Sequence, residues 1–449
     1  MNPLDVPSAL RRPPGSLSRR GFLGLAGAAA GTAALTSCGA SIDSAGVRDP
    51  ALATTGEYDG PPVDLDFWNP FTGGDGPTMA RLVQQFTDSH PSVRVRTTSL
   101  LADDMYAKVL PAVAAQEGPQ VAIMHLDQLP TYALRGTIVP LDDAVAAVGL
   151  TADDYVPGAF AQAVYRGQRW GLPLDVFSMG QYWSRSAFAA AGLEGPVDGT
   201  RFAEDMAALQ DSGVESPLWV TPGSWQLFVS LLTQFGGSLF DADGRRATFG
   251  SDAGVEALAW MRGLVTDGVS PQGAVDARAP FKNGSAALLA DLPAAVPDLQ
   301  DTAPDLDWGL APLMTVGQRP ATFANSHHFV LTDQSQADER TAHAALTFVT
   351  WMSRNATLWA EAGNTPAAAT ARASAAFQGS RQAVLASDDV LDTFSYLPLV
   401  PSSRDVAANS YQRAVAQVVL GQAEPAAAAD FAQRTAQAQL DDLNRLYGI

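Results

Sequence analysis

From residue 63 onward the chain repeats a unit that few architectures accommodate: a short run with alternate residues apolar, a loop, then an apolar stripe at helical spacing. Val63, Leu65 and Phe67 alternate with Asp64 and Asp66, the period of a half-buried strand. The run Trp68-Asn69-Pro70-Phe71-Thr72-Gly73-Gly74-Asp75-Gly76-Pro77 is rich enough in Gly and Pro to be a loop. Met79, Leu82, Val83 and Phe86 recur at i, i+3, i+4 and i+7, one face of an amphipathic helix. His90-Pro91 ends it, because Pro disfavours helical backbone in the residue before it. Val93 and Val95, alternating with Arg94 and Arg96, predict a second strand, and residues 120–124 a third. Strand–helix–strand order predicts a parallel sheet with helices on its faces, an α/β fold. Helical stripes continue through Val255-Leu258-Ala259-Val265, Ala345-Phe348-Val349-Met352, Tyr411-Val415-Val418-Val419 and Leu440-Leu443-Tyr447. The Met and aromatic residues inside these stripes read as core. The Ala-rich runs 367–376 and 426–429 read as helix formers, and the lack of a short-period repeat argues against a solenoid.

Composition removes whole classes of function. The 449 residues are 47% apolar and 17% charged, values of a globular protein rather than a disordered one. That length corresponds to roughly two to three domain units. Acidic residues number 47 against 28 Lys and Arg, a net charge of −19, which argues against a protein that clamps nucleic acid through its phosphates. A single Cys allows no disulfide within the chain, no thiolate zinc site and no iron–sulfur cluster. No G-x-x-x-x-G-K-[ST] loop and no H-E-x-x-H occurs. The five His show no metal-ligand spacing, and the adjacent His327 and His328 would diverge on a strand. No metal and no cofactor is expected.

The first residues carry the most specific pattern. Ser18-Arg19-Arg20-Gly21-Phe22-Leu23 is a twin-arginine pattern, followed by a 15-residue stretch of small and apolar residues from Gly21 to Leu35. A membrane-spanning helix needs about 20 apolar residues, so this reads as an export signal. Leu35-Thr36-Ser37-Cys38 resembles the lipobox of bacterial lipoproteins, in which the Cys is lipidated and becomes the first mature residue. The expectation is a signal over residues 1–37, a lipid anchor on Cys38 and a flexible tether over 38–62. The signal holds Arg11, Arg12, Arg19, Arg20 and Asp5, so the mature chain has 24 basic against 46 acidic residues, a charge of −22. A protein this acidic is held at a membrane by acyl chains, not by attraction to anionic lipid.

Several clusters suit the recognition of neutral polar ligands. A sugar offers C–H faces, which aromatic rings match, and hydroxyl edges, which carboxylates, amides and Arg match. Trp68-Asn69 with Thr72 and Asp75 is one such cluster. Asp127-Gln128 after the third strand is another, where ligands of open parallel sheets sit. Gly223-Ser224-Trp225-Gln226 and Asn325-Ser326-His327-His328 are two more. For each residue the competing explanation is structural: a Trp in the core, an Asp capping a helix.

The order of segments resembles the extracellular solute-binding proteins of carbohydrate ABC importers, the family of maltodextrin-binding protein. Phe67-Trp68-Asn69 with its Gly loop looks like the family's opening. Trp170-Gly171-Leu172-Pro173 followed by Tyr182-Trp183-Ser184 and Ala191-Gly192-Leu193 is similar to its next segment. Phe235-Gly236-Gly237, Phe281-Lys282-Asn283-Gly284, the stretch Ala345 to Met352 and Gly363-Asn364-Thr365-Pro366 follow in family order. The resemblance implies two α/β lobes, a type II-like periplasmic-binding-protein fold with the ligand in the interlobe cleft. It places residues 63–176 and 327–387 in an N-terminal lobe and 177–326 and 388–449 in a C-terminal lobe, with crossings near 175–179, 324–328 and 386–391.

The implied function is sugar binding by lobe closure and delivery to ABC permease subunits, without catalysis, by a lipid-anchored monomer on the outer face of the cell membrane. Site residues carried over are Trp68, Asn69, Thr72, Asp75, Asp127, Gln128, Trp225, Asn325, His327, Arg404 and Asn409. Two family aromatics are missing, at Ala290-Asp291-Leu292-Pro293-Ala294 and near Ala408-Asn409, which points to a short or modified sugar. The alternatives are a receptor for a polyol, a glycerophosphodiester or another small polar solute, an exported glycosidase, and a lipoprotein without a ligand.

Overall fold

The structure, a computed structural model, describes residues 57–156 and 158–448. The expected signal and the lipidation site Cys38 lie outside the described residues. Tyr58 is already buried. Its N–H donates to Thr347 Oγ1 at 3.1 Å, and its ring meets His343 edge-on at 5.4 Å. The folded body therefore includes residues that the sequence assigned to the tether, because this aromatic seats itself on the helix Glu339–Arg354.

The first sheet grows from the opening alternation. β1 (Val63–Asn69) and β2 (Val93–Ser99) pair in parallel, Val63 opposite Val93 and Asn69 opposite Ser99. The helix Gly76–Ser89 connects them and buries Met79, Leu82, Val83 and Phe86, the stripe read from the sequence. β3 (Val121–His125) joins the other side of β1, also in parallel. Both faces of this sheet are covered. Leu65 and Phe67 face a core with Phe86, Phe329 and Phe348, while the helix Ala102–Ala114 brings Met105, Tyr106 and Val109 against Ala122 and Met124 on the other side.

A two-stranded ladder, β4 (Val164–Tyr165) with β5 (Gln168–Arg169), leads to β6 (Leu172–Pro173). β7 (Asp175–Ser178) then carries the chain out of the first core, and β8 (Gly180–Ser184) enters a second. There β8 is the middle of an antiparallel sheet between β9 (Leu288–Asp291) and β10 (Trp308–Pro312). β11 (Thr322–Asn325) brings the chain back, and β12 (His327–Leu331) enters the first sheet antiparallel to both β3 and β6. The first sheet is thus mixed, not parallel throughout as its opening predicts. A strand returning from the other half re-enters the sheet in the opposite direction, without a βαβ crossover. β13 (Thr365–Pro366) and β14 (Phe394–Tyr396) complete a third sheet in the order β13–β7–β11–β14, built around the strands by which the chain changes halves.

Two large apolar cores flank this connecting sheet. One gathers Phe67, Phe86, Phe329, Phe348 and Trp359. The other gathers Phe228, Phe249, Met261, Val415 and Leu440. Each fully buried aromatic contributes about 1.5–3 kcal/mol, so each lobe has its own hydrophobic support. The chain passes between the two cores at β7 and again at the junction of β11 with β12. A third passage is drawn out. Leu385 sits with Tyr182 and Trp308 in a C-terminal-lobe cluster, Leu391 and Phe394 lie against the first core, and Leu397 belongs to the second. Gly363 touches the other lobe: its φ is +91°, and an added Cβ would come 2.3 Å from the Pro293 carbonyl oxygen. Only glycine meets both conditions.

Candidate functional site

A cavity of about 560 Å³ lies at the end of β3, beside the connecting sheet, with residues of both lobes in its wall. β3 and the turn after it supply His125 and Asp127. β7 and β11 supply Phe177, Phe323 and Asn325. The helices Trp225–Gln234 and Tyr411–Val419 supply Trp225 and Tyr411, and the helix Ser403–Asn409 supplies Ser403 and Arg404. This is the position outside the carboxyl end of a parallel strand where α/β sheets bind ligands.

Asp127 is deeply set in the wall, 6% exposed. Its carboxylate accepts from Gln128 Nε2 at 2.5 Å and Asn325 Nδ2 at 2.9 Å, and Ser403 Oγ lies 3.1 Å away. Asn325 is oriented in turn, because its Oδ1 accepts the Ser326 N–H at 2.9 Å. A carboxylate has about four lone-pair sites, so Asp127 retains capacity for a ligand hydroxyl. The wall is also aromatic. Trp225 is half-buried and meets Phe323 edge-on at 5.2 Å and Tyr411 at 6.0 Å.

Charge in the cavity is unbalanced. Asp103, Asp127 and Asp405 line it, and Arg404 is its one Lys or Arg among the described residues. That guanidinium is engaged: it pairs with Asp103 and lies 4.9 Å from the centre of the Tyr106 ring. An anionic ligand would meet three carboxylates and no free cation.

Below the cavity the crossing strands are tied to one buried carboxylate. Asp175, at the start of β7, is fully buried. It accepts from the His327 backbone N–H at 2.9 Å and from His327 Nδ1 at 2.9 Å. It also accepts from Trp359 Nε1 at 2.7 Å and Asn364 Nδ2 at 3.0 Å. One side chain thus joins β7, β12 and the segment leading to β13. His328, pointing the other way from β12 as strand alternation requires, is fully buried, and burial pulls its pKa down to about 3.

The residues expected from the sequence separate into three groups. Asp127, Trp225, Asn325 and Arg404 line the cavity. Gln128 and His327 lie behind it, Gln128 bracing Asp127 and His327 bound to Asp175 with its ring 4.6 Å from that of His125. Trp68, Asn69, Thr72, Asp75 and Asn409 are not in its wall. Asn69 is fully buried, its Oδ1 accepting the Phe71 N–H and the Ser99 hydroxyl, both at 3.1 Å. Trp68 projects from the other face of β1 against the Tyr106 cluster. Thr72 is exposed, and Asp75 Oδ1 accepts the Gly73 N–H at 3.2 Å while burial raises its pKa. Asn409 faces outward, and Ala408 takes its place in the wall. The sequence reading missed His125, Phe177, Phe323, Ser403 and Tyr411. The signal for His125 was its position at the carboxyl end of β3, two residues before Asp127.

A larger groove, about 1110 Å³, opens between the helices Gly76–Ser89 and Ala295–Thr302 and the run 351–382. It holds exposed charged groups such as Arg81, which pairs with Glu361 at 2.5 Å with both side chains more than half exposed. Among the described residues no buried carboxylate lines it.

A family model described as bacterial extracellular solute-binding protein matches residues 81–384. Among solved structures, the chain is similar to the GacH receptor of Streptomyces glaucescens, solved unliganded and with acarbose and an acarbose homolog. The identity is 20% and the TM-score 0.75, over 84% of this chain and 98% of that one. UgpB from Mycobacterium tuberculosis in complex with glycerophosphocholine matches at 21% identity and a TM-score of 0.75, over 86% of this chain and 99% of that one. The sugar-binding protein MalE from Xanthomonas citri matches at 20% identity and a TM-score of 0.73, over 86% and 99%. No curated protein sequence matches the chain. At these identities the likeness establishes a shared two-lobed α/β fold.

Proposed function

Because the chain belongs to the bacterial extracellular solute-binding protein family, we propose that it is the substrate-binding component of an ABC importer for a neutral sugar of one to a few rings. Binding in the interlobe cavity favours the closed arrangement of the lobes, which the permease then recognises. The observation that carries this reading is the mixed lining of the cavity, where Asp127 and Asn325 stand together with the rings of Trp225, Phe323 and Tyr411. A carboxylate and an amide suit hydroxyl edges, and aromatic rings suit the C–H face of the same sugar. The short ligand follows from the wall. Leu292 and Ala408 fall in the two stretches that lack the family aromatics, and Asp291 is occupied by Arg278 Nε at 2.6 Å. The related structures include receptors described with acarbose and as sugar-binding, which supports the class of ligand.

Lipid attachment at Cys38, export by the twin-arginine route and a monomeric state complete the proposal on the strength of the sequence alone. UgpB's ligand, glycerophosphocholine, raises a phosphodiester as the second candidate, but the carboxylates around Arg404 disfavour it. The test is a thermal-shift panel of neutral mono-, di- and trisaccharides with recovery of the ligand. A sugar at about one hundred times its Kd adds about 2.7 kcal/mol to stability and is returned unchanged. Stabilisation by none of them, or conversion of the sugar to products, defeats the proposal.

A further inference from the structure

The hydroxyl of Tyr106 has two partners, and together they settle where its proton lies. Tyr106 Oη is 2.8 Å from the backbone nitrogen of His125 and 2.8 Å from the Nδ1 of the same residue. The backbone N–H can only donate, so Oη accepts there and its own proton is left for Nδ1. Nδ1 is then an acceptor, and in the neutral ring the remaining hydrogen is on Nε2. Burial holds the Tyr106 phenol well above its ordinary range, so it keeps that proton. Burial first, and the neighbouring His327 second, hold the His125 imidazole well below its ordinary range, so the ring stays neutral.

The groups facing the ring come from every side. Tyr106 approaches from the helix Ala102–Ala114, His327 from β12 at 4.6 Å between centroids, and Phe177 from β7 at 6.3 Å. Asp127, Arg404 and Asp405 line the same cavity, and Asp175 lies beyond His327. No carboxylate is hydrogen-bonded to the His125 ring among the described residues, so nothing holds a second proton on it.

We infer that His125 is a ligand-contacting donor of fixed tautomer, presenting Nε2–H to the cavity, and that Tyr106 is the positioning residue that fixes it. The inference rests on the cavity being the ligand site and deepens that reading. Asp127, two residues on, can only accept. A donor at 125 beside an acceptor at 127 selects a ligand edge with an acceptor oxygen next to a donating hydroxyl, as in a vicinal diol or a hydroxyl beside a ring oxygen. A ligand that places an ammonium at His125 or a phosphate at Asp127 is refused.

The experiment is long-range ¹H–¹⁵N spectroscopy of the ¹⁵N-histidine-labelled protein from about pH 5 to about pH 8, the span in which a free imidazole titrates. The chain has five His, and His125→Gln identifies the resonances of His125. The expected wild-type result is one protonated Nε2 and one bare Nδ1, constant across the range. Tyr106→Phe should release the ring, which then titrates or shows the other tautomer. Tyr132→Phe, which removes a hydroxyl bonded to the Tyr106 carbonyl at 2.9 Å, should leave the pattern intact. Nδ1–H in the wild type, a titration midpoint near the ordinary value, or an unchanged pattern in Tyr106→Phe overturns the inference. If that variant does not fold, the wild-type titration decides alone. With a sugar that stabilises the protein, the Nε2 signal should move; a bound sugar that leaves it unmoved overturns the contact while sugar binding itself stands. If no sugar binds, the proposed function fails and the tautomer result decides this inference.

Discussion

Asp175→Ala should be among the most damaging single changes in the connecting sheet. The carboxylate is fully buried and accepts four hydrogen bonds, from the His327 backbone N–H, His327 Nδ1, Trp359 Nε1 and Asn364 Nδ2. Truncation leaves these largely buried donors without their partner. Each stranded buried donor costs about 1–3 kcal/mol, and breaking a buried pair by removing one member costs about 3–5 kcal/mol. These figures overlap, because the same donors enter both, and water entering the vacated space recovers part of the loss. The net expectation is about 4–6 kcal/mol, a large share of the ~5–15 kcal/mol that holds a typical fold. Asp175→Asn keeps one acceptor oxygen but turns an NH₂ toward the remaining donors, so it should lose about 2–4 kcal/mol. Urea unfolding followed by tryptophan fluorescence measures both, with Trp359 itself among the reporters. A loss below about 1 kcal/mol for Asp175→Ala, the scale of an ordinary net hydrogen bond, refutes the reasoning that this carboxylate pins three segments together.

Other expectations follow from single observations. His328 has a folded pKa of about 3 because of burial, below its unfolded value. The stability it protects is therefore complete above about pH 6.5 and is lost as pH falls toward the folded value, at about 1.4 kcal/mol per unit. Unfolding free energies from urea titrations at pH 6.5 and pH 5 should differ by about 2 kcal/mol more in the wild type than in His328→Gln, and an identical pH slope in the two proteins contradicts this. Asn69→Ala should lower stability by about 1–3 kcal/mol while leaving ligand affinity within twofold, since its oxygen serves Phe71 and Ser99. A large loss of affinity with stability intact would return Asn69 to the site. Glycerol 3-phosphate should stabilise the protein less than the best neutral sugar in the same thermal-shift panel; the reverse order would show that Arg404 is free for an anion despite Asp103.

Much of the fold was legible because its signals are periodic. The alternation of Val63, Leu65 and Phe67 and the stripe Met79-Leu82-Val83-Phe86 each specify an element and a face by themselves. The direction of β12 was not legible, since a strand pattern does not say from which lobe the chain arrives. The packing of Tyr58 was hidden because a lone aromatic in a polar segment has no period. In the site, Asp127, Trp225, Asn325 and Arg404 were readable as polar or aromatic residues at strand ends and helix starts. The burial of Asn69 was legible in the period, since it shares the face of Leu65 and Phe67. Tyr411 was read as one more member of an apolar stripe. A residue whose ring serves the core at one edge and the cavity at another gives the same sequence signal as a plain core residue.

The central claim is that the ligand lies against Trp225 between the two lobes. Calorimetric titration with the best-stabilising sugar of the panel, in the wild type and in Trp225→Ala, tests it most directly. Stacking on an aromatic platform contributes about 1–3 kcal/mol, so the account predicts a single site whose Kd rises about 10- to 100-fold in the variant, with the thermal unfolding of the ligand-free protein little changed. Undiminished affinity in Trp225→Ala would contradict it, and so would a variant that no longer folds, because Trp225 would then belong to the core.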